Sequence, residues 1–297
     1  MASESELINT IQNGKPCFII GNGINIFNTN DKNENNSWGD ILLKIYKSLV
    51  DPKVKDIPNG ISMTEYHDLI DLHKSGSVKE SIQKKFVDNL KLRVKSHHEI
   101  IVNKIRKLDC PILTTNFDLT LENCINAEMF RYKIPGKRVM TDYYPWDSYY
   151  SNHKKENPFS SFSIWHMHGQ TDYERSIKLG LNQYLLMVDY AKQFFPSKNN
   201  SKNENYETWL KIFFERDLII FGLGLEEQEV FIRWLLLKRA KYFKYNKSEK
   251  KLGYYINHDE ISDRKSGKNF FLNSVGIKYV NFIGDYDKFY KDFWSSL

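Results

Sequence analysis

Pro16-Cys17-Phe18-Ile19-Ile20-Gly21-Asn22-Gly23-Ile24-Asn25 is the stretch that decides how this chain folds. A short apolar run stopped by glycine reads as a buried strand entering a tight loop. The pattern recurs three times. Pro111-Ile112-Leu113-Thr114-Thr115 runs into Asn116-Phe117-Asp118, Phe162 to Trp165 runs into His166-Met167-His168-Gly169, and Asp217 to Phe221 runs into Gly222-Leu223-Gly224. Tyr254 to Ile256 and Lys278 to Ile283 have the same strand character. Strands separated by helical segments predict an α/β fold, a Rossmann-like parallel sheet covered by helices. Ligands of such sheets bind at the carboxyl ends of the strands, where Gly21, Asn116, His168 and Gly222 fall.

Between the strands the period changes. Ser37 is placed to cap a helix that carries Trp38, Ile41, Leu42, Ile45 and Leu49 on one face. From about residue 50 to 108 the pattern stays helical, with Val78, Ile82, Phe86 and Leu90, then Ile100, Ile101, Ile105 and Leu108, and predicts a helical insertion within a single domain spanning 1–297. A helix is predicted from Leu119 to about Asn126. Tyr286, Phe289, Tyr290 and Phe293 predict a closing amphipathic helix. The polar stretch Ser197 to Asn205 predicts a mobile loop. There is no internal repeat.

Composition narrows the class. With 41% hydrophobic and 14% aromatic residues in 297, the chain can bury a sizeable core. No apolar run approaches the roughly 18 to 20 residues that span a bilayer, and the N-terminus lacks a basic segment before an apolar one, so a cytoplasmic protein with no membrane partner is expected. Cys17, Cys110 and Cys124 are read as reduced thiols. The net charge of +6, from 43 basic and 37 acidic residues, is too mild to require a nucleic-acid partner. The densest basic run, Lys238 to Lys244 with continuation to Lys247, Lys250 and Lys251, reads as a solvated helix end or as a surface for phosphate or a partner.

The strand ends carry the chemistry. Gly21-x-Gly23 after a strand suits close backbone approach to a phosphate, and equally a structural turn. Ile26 stands where a dinucleotide fingerprint has its third glycine, which disfavours a hydride-transferring dehydrogenase. Asn116 and Asp118 emerge together, either as a helix cap or as an amide for a ribose hydroxyl or water with a carboxylate that fixes a neighbouring loop. His166 and His168 alternate and point to opposite faces, so they do not share a metal. His168, beside Gly169, is the candidate general base; a structural role is its alternative. Gly222-x-Gly224 offers a second close backbone approach or an ordinary strand-to-helix turn, with Glu226 and Glu227 opening the next helix.

In this order, Gly21-Asn22-Gly23-Ile24-Asn25, Ser37-Trp38-Gly39-Asp40, Thr114-Thr115-Asn116-Phe117-Asp118, Trp165-His166-Met167-His168-Gly169 and Gly222-Leu223-Gly224-Leu225 resemble the sirtuin-like fold over about residues 16 to 260. The likeness is greatest to bacterial sirtuin-like NAD hydrolases of antiphage defence encoded beside a HerA-type ATPase. The resemblance implies Asn116 and His168 as catalytic pair with Asp118 in support. It implies that Gly21, Asn22, Gly23 and Asn25, with Thr115 and Gly169, hold the pyrophosphate and nicotinamide ribose, and that Gly222 and Gly224 border the adenosine. Three cysteines with no C-x-x-C pair cannot build the zinc module of sirtuin deacylases, so no metal is expected.

The expected activity is therefore NAD glycohydrolysis, with NAD as substrate, giving nicotinamide and ADP-ribose. By the same resemblance the partners are a HerA-type ATPase and further copies of the chain, with nucleic acid reached through the complex. A nuclease or nucleic-acid-binding subunit, a non-catalytic NAD or ADP-ribose sensor and a deacylase are the alternatives.

Overall fold

The computed structural model describes residues 3–27, 37–73, 81–90, 92–132, 145–195, 207–247, 250–257, 263–282 and 288–297. Along the chain it forms α1 (Glu4–Asn13), β1 (Cys17–Ile20), α2 (Gly23–Ile26), α3 (Trp38–Leu49), α4 (Met63–His73), α5 (Ile82–Asn89), α6 (Ser96–Lys107), β2 (Ile112–Thr114), α7 (Thr120–Asn123), β3 (Glu128–Arg131) and β4 (Ser148–Ser151). There follow β5 (Ile164–His166), a 3₁₀ turn (Thr171–Ser176), α8 (Leu181–Lys192), α9 (Trp209–Glu215), β6 (Leu218–Phe221), α10 (Val230–Tyr245), β7 (Gly253–Asn257), α11 (Asp263–Ser274), β8 (Lys278–Asn281), a π-helical turn (Lys288–Phe293) and α12 (Trp294–Ser296). The expected mobile loop at 197–205, Val78, Ile283 and Tyr286 lie outside the described residues.

Eight strands form one sheet in the order β3-β4-β5-β2-β1-β6-β7-β8. The six from β5 to β8 pair in parallel, as the apolar runs predict. β1 lies between β2 and β6, with Phe18 opposite both Ile112 and Ile219, and all four of its residues are buried. A strand covered on both faces has no polar side to show, which is why its sequence reads as a continuous apolar run.

Successive side chains feed two separate layers. Cys17, Ile19, Leu113, Trp165, Leu218 and Ile220 pack with Trp209, Phe213, Phe231 and Leu235 of α9 and α10. Phe18, Ile20, Ile112, Ile164 and Ile219 pack with Leu7, Ile101, Ile105 and the closing aromatics Phe289, Tyr290 and Phe293. α6 thus lies directly on the sheet. α3, α4 and α5 build a cluster of their own, in which Ile41, Leu42, Tyr66, Ile70 and Phe86 meet Ile177 and Leu179. Ser37 caps α3 as its sequence predicts, accepting from the Asp40 N–H at 3.2 Å.

Two strands escaped the sequence reading. β3 and β4 form an antiparallel edge joined to β5. Glu128-Met129-Phe130-Arg131 and Ser148-Tyr149-Tyr150-Ser151 are short and polar at their ends, so neither shows the apolar run that marks the interior strands. The helix expected at 119–126 is one turn, Thr120–Asn123.

Arg239 leaves the basic run and turns inward. It donates to the carbonyls of Phe213, Arg216 and Leu252 and lies 4.7 Å from the Phe243 ring, bolting the segment after α9 to the entry of β7. Burial lowers its pKa to about 10, so it stays charged. Lys238, Lys241 and Lys244 remain exposed. Among the described residues no helix is long and apolar enough to cross a membrane.

At the centre of the sheet the loops after β1 and β6 touch through glycine. A Cβ on Gly21 would lie 2.5 Å from the Gly222 carbonyl oxygen and 2.7 Å from the Leu223 Cα. Gly222 itself has φ +65, a conformation that costs side-chain-bearing residues strain. Gly21→Ala should lower stability by about 1–3 kcal/mol through overpacking against backbone. A urea midpoint indistinguishable from that of the parent protein would show that the loops can separate without cost.

Candidate active site

The crossover from β1 leads towards β2 and that from β6 leads towards β7, on the opposite side, so the crevice above β1 and β6 is the topological switch point of the sheet. Two loops close its floor. The Gly23 N–H donates to the Gly222 carbonyl at 2.7 Å and the Gly21 N–H to Phe221 at 3.1 Å. In the folded chain these glycines therefore serve contact between loops, and the Gly23 N–H is already engaged.

Asn25 and Asp118 tie the β1 loop to the β2 loop. Asn25 Nδ2 donates to Asn22 Oδ1 at 2.9 Å and to Asp118 Oδ2 at 3.0 Å, while Asp118 Oδ1 accepts from the Thr120 N–H at 2.9 Å. The carboxylate thus closes a turn just before α7, whose N-cap position is Leu119, and braces the neighbouring loop at once. A second brace comes from α6. His97 Nε2 and His98 Nε2 both contact the Ile24 carbonyl oxygen, at 2.8 and 3.1 Å. The Lys95 N–H donates to His98 Nδ1, which leaves Nε2–H as the donor of a neutral His98 imidazole.

Asn116 is fixed by its backbone. Its N–H donates to Thr114 Oγ1 at 3.0 Å, and its carbonyl accepts from His166 Nδ1–H at 2.9 Å. His166 Nε2 pairs with Glu122 Oε1 at 3.0 Å, with both side chains almost wholly buried. Burial alone would lower the His166 pKa, but the Glu122 charge and hydrogen bond outweigh it and the value is raised. His166 thus positions Asn116 from behind the strand. The Asn116 side chain is only 4% exposed, and neither its oxygen nor its nitrogen has a partner.

His168 points the other way, as alternation predicts. Its Nδ1 lies 3.4 Å from the Tyr184 hydroxyl, and the Tyr184 ring stands edge-on to it at 5.1 Å between centroids. Nε2 is buried without a partner. Burial lowers the His168 pKa to about 3, so the imidazole is uncharged at neutral pH. Gly169, at φ +92, turns the chain where a Cβ would lie 2.2 Å from the Ser176 carbonyl oxygen.

These residues border a cavity of about 360 Å³. Asn22, Gly23, Thr115, Asn116, His168, Gly222 and Gly224 line it; Gly21, Asn25, Asp118 and Gly169 stand outside the lining and shape the loops that form it. The sequence reading missed Tyr184, Glu229 and Glu122. Tyr184 is one apolar-face residue of an ordinary helix, and Glu122 lies within one turn, so neither had a local signal. Glu226 and Glu227 were read as opening the helix after β6, whereas it begins at Val230 and Glu229 takes the flanking position. Among the described residues no group of three His, Cys, Asp or Glu is arranged to hold a metal.

Residues 111–280, more than half of the chain, match the SIR2-like domain family. The chain belongs to that family. Membership carries NAD binding and NAD-linked chemistry with it, on the mixed α/β sheet described above. The matched segment of this SIR2-like chain supplies Asn116, His168, Tyr184 and Glu229, while Asn22, Gly23, Trp38 and Phe86 reach the same cavity from residues before it. Among curated proteins no sequence matches the chain.

The neutral histidines set an acid limit on stability. For His168 and His98 the folded value, about 3 in each, lies below the ordinary 6.5. As pH falls below 6.5 the unfolded chain takes up these protons before the folded one does, so stability drops from 6.5 towards 3. His166, raised, has the opposite sign: its pair stabilises below its ordinary pKa and that contribution is lost as pH rises through the folded value. His168→Gln should reduce the pH slope of the unfolding free energy between pH 6 and 4 by up to about 1.4 kcal/mol per unit. Urea titrations at these pH values would show an unchanged slope if the imidazole were charged in the folded protein.

Proposed function

We propose that this SIR2-like chain is an NAD glycohydrolase that cleaves the bond between nicotinamide and ribose, releasing nicotinamide and ADP-ribose. The observation that carries this reading is the pair of buried side chains with unpartnered polar atoms, Asn116 and His168, lining one cavity at the switch point of the sheet. A buried amide with no partner costs about 1–3 kcal/mol, a cost a ligand with hydroxyls relieves.

Nicotinamide leaves a cationic pyridinium as a neutral molecule, so the leaving group needs no proton. The site must stabilise an oxocarbenium-like ribose and deliver water. Asn116 orients a ribose hydroxyl or the water through its free oxygen and nitrogen. In the tautomer whose Nδ1–H donates to the Tyr184 hydroxyl, the His168 Nε2 lone pair is left for a proton from one of them. His168 is uncharged until it takes that proton, so at the outset it adds no positive charge beside the developing cation. Thr115, Asn22 and Gly23 would contact the ribose and pyrophosphate, and Gly222 and Gly224 the adenosine. Gly21, Asn25, Asp118 and Gly169 act by holding these loops.

Sequence likeness to sirtuin-like NAD hydrolases of antiphage defence supports the rest of the reading: depletion of NAD in response to phage, assembly with a HerA-type ATPase, and a homo-oligomer that restrains the activity until it is needed. Nucleic acid in such a complex would meet the exposed Lys238, Lys241 and Lys244.

Purified Asn116→Ala and His168→Ala proteins, each with the ATPase partner, should lose nicotinamide release by at least about 10²-fold while keeping the far-ultraviolet circular dichroism of the parent. Chromatographic detection of nicotinamide and ADP-ribose decides it. Near-normal release from both variants would overturn the assignment, and NAD binding without release in the parent complex would favour a sensor.

A further inference from the structure

Glu229 precedes α10 at the position that usually caps a helix, yet its side chain makes no capping bond. Its backbone bonds to Glu226 and Arg233, but among the described residues its carboxyl has no hydrogen bond or ion pair. It is half-buried and lines the cavity that Asn116 and His168 border. The same cavity presents aromatic side chains from Trp38, Phe86, Phe117 and Tyr184, and among its described lining residues there is no Lys or Arg. A carboxylate and aromatic walls with no competing cation form a site for a positively charged ring.

We propose that Glu229 is the specificity-determining residue that makes this cavity select the oxidised, cationic pyridine nucleotide over the reduced, neutral one. The proposal rests on the reading of the cavity as the NAD site. NAD and its reduced form share every hydroxyl and phosphate, so Asn116, His168 and the glycine loops hold the two alike. They differ by the charge of the nicotinamide ring, and among the described lining residues Glu229 is the one carboxyl.

The environment of Glu229 makes that selection depend on pH. Burial, assisted by the Glu226 charge, raises its pKa to about 7. The groups around it are accounted for. His168, from the loop after β5, is uncharged above about pH 3, and Tyr184 of α8 is held well above the ordinary phenol value by burial and the Glu229 charge. Glu226, on the loop after β6, is paired with Lys268 at 2.5 Å, and Arg233, one turn along α10, donates to the Leu225 carbonyl at 2.9 Å. An arriving pyridinium favours the carboxylate, so binding at pH 6 expels a proton. Affinity for the cationic nucleotide then strengthens as pH rises to about 7 and levels off above it, and affinity for the neutral nucleotide stays level.

Isothermal titration calorimetry with carba-NAD⁺, the uncleavable analogue that keeps the pyridinium, and with NADH tests this on the parent protein and on Glu229→Gln between pH 6 and 8.5. The parent should prefer carba-NAD⁺ by about tenfold at pH 8, with a preference that shrinks towards pH 6. Glu229→Gln should bind the two within about threefold at every pH, chiefly through weaker carba-NAD⁺ binding. An unchanged preference in Glu229→Gln, or a parent preference independent of pH, would overturn the role of Glu229 and leave the NAD site standing. Failure of the parent to bind either nucleotide would overturn both.

Discussion

The backbone contact between the loops after β1 and β6 is the constraint on which the site depends. Gly21 and Gly222 approach so closely that a single Cβ would collide with carbonyl oxygen and Cα atoms. That approach brings two crossovers of opposite direction to one point and opens a crevice above them. Every other part of the site is arranged around it: Asn25 reaches from one loop to Asp118 on the next, and two histidines of α6 hold the Ile24 carbonyl from the far side.

Around this contact the polar groups divide into those that are satisfied and those that are not. His166 and Glu122 form a buried pair whose histidine also donates to the Asn116 carbonyl, and such a pair stays favourable only while both partners and their hydrogen bonds remain. The Asn116 amide and His168 Nε2, by contrast, have no partner. Other buried atoms, such as Glu122 Oε2 and Trp209 Nε1, are open as well, but the Asn116 amide and His168 Nε2 border the cavity, where a ligand can relieve the cost of desolvation.

The charge distribution sharpens the point. A neutral imidazole, a phenol and a single carboxyl face aromatic rings in a cavity whose described lining contains no basic side chain. On the proposed reading, the phosphates of a dinucleotide rely on backbone and amide donors, and Glu229, the one carboxyl among the described lining residues, faces the cationic ring. Helices α3 to α5 supply much of the aromatic wall through Trp38 and Phe86, so the segment that departs most from the sheet also shapes the ligand's surroundings.

The interior strands were legible in the sequence because burial on both faces forces continuous apolar runs, as in Cys17 to Ile20 and Leu218 to Phe221. Their glycine, Asn and His termini marked the carboxyl edge of the sheet; the alternation of His166 and His168 told that only one faces the cavity, and the neighbouring Gly169 pointed to His168. The edge strands β3 and β4 were silent, since pairing on a partly polar rim requires no such run. Glu122, Tyr184 and Glu229 were silent for a different reason: each acquires its role from a residue on another element, as Glu122 does from His166 and Tyr184 from His168, and no local spacing encodes that contact. Sequence thus determined the sheet and the chemistry available at its edge; only the tertiary structure decided which glycines hold loops together, which polar atoms are left open and which carboxyl faces them, because those are properties of contacts between distant segments.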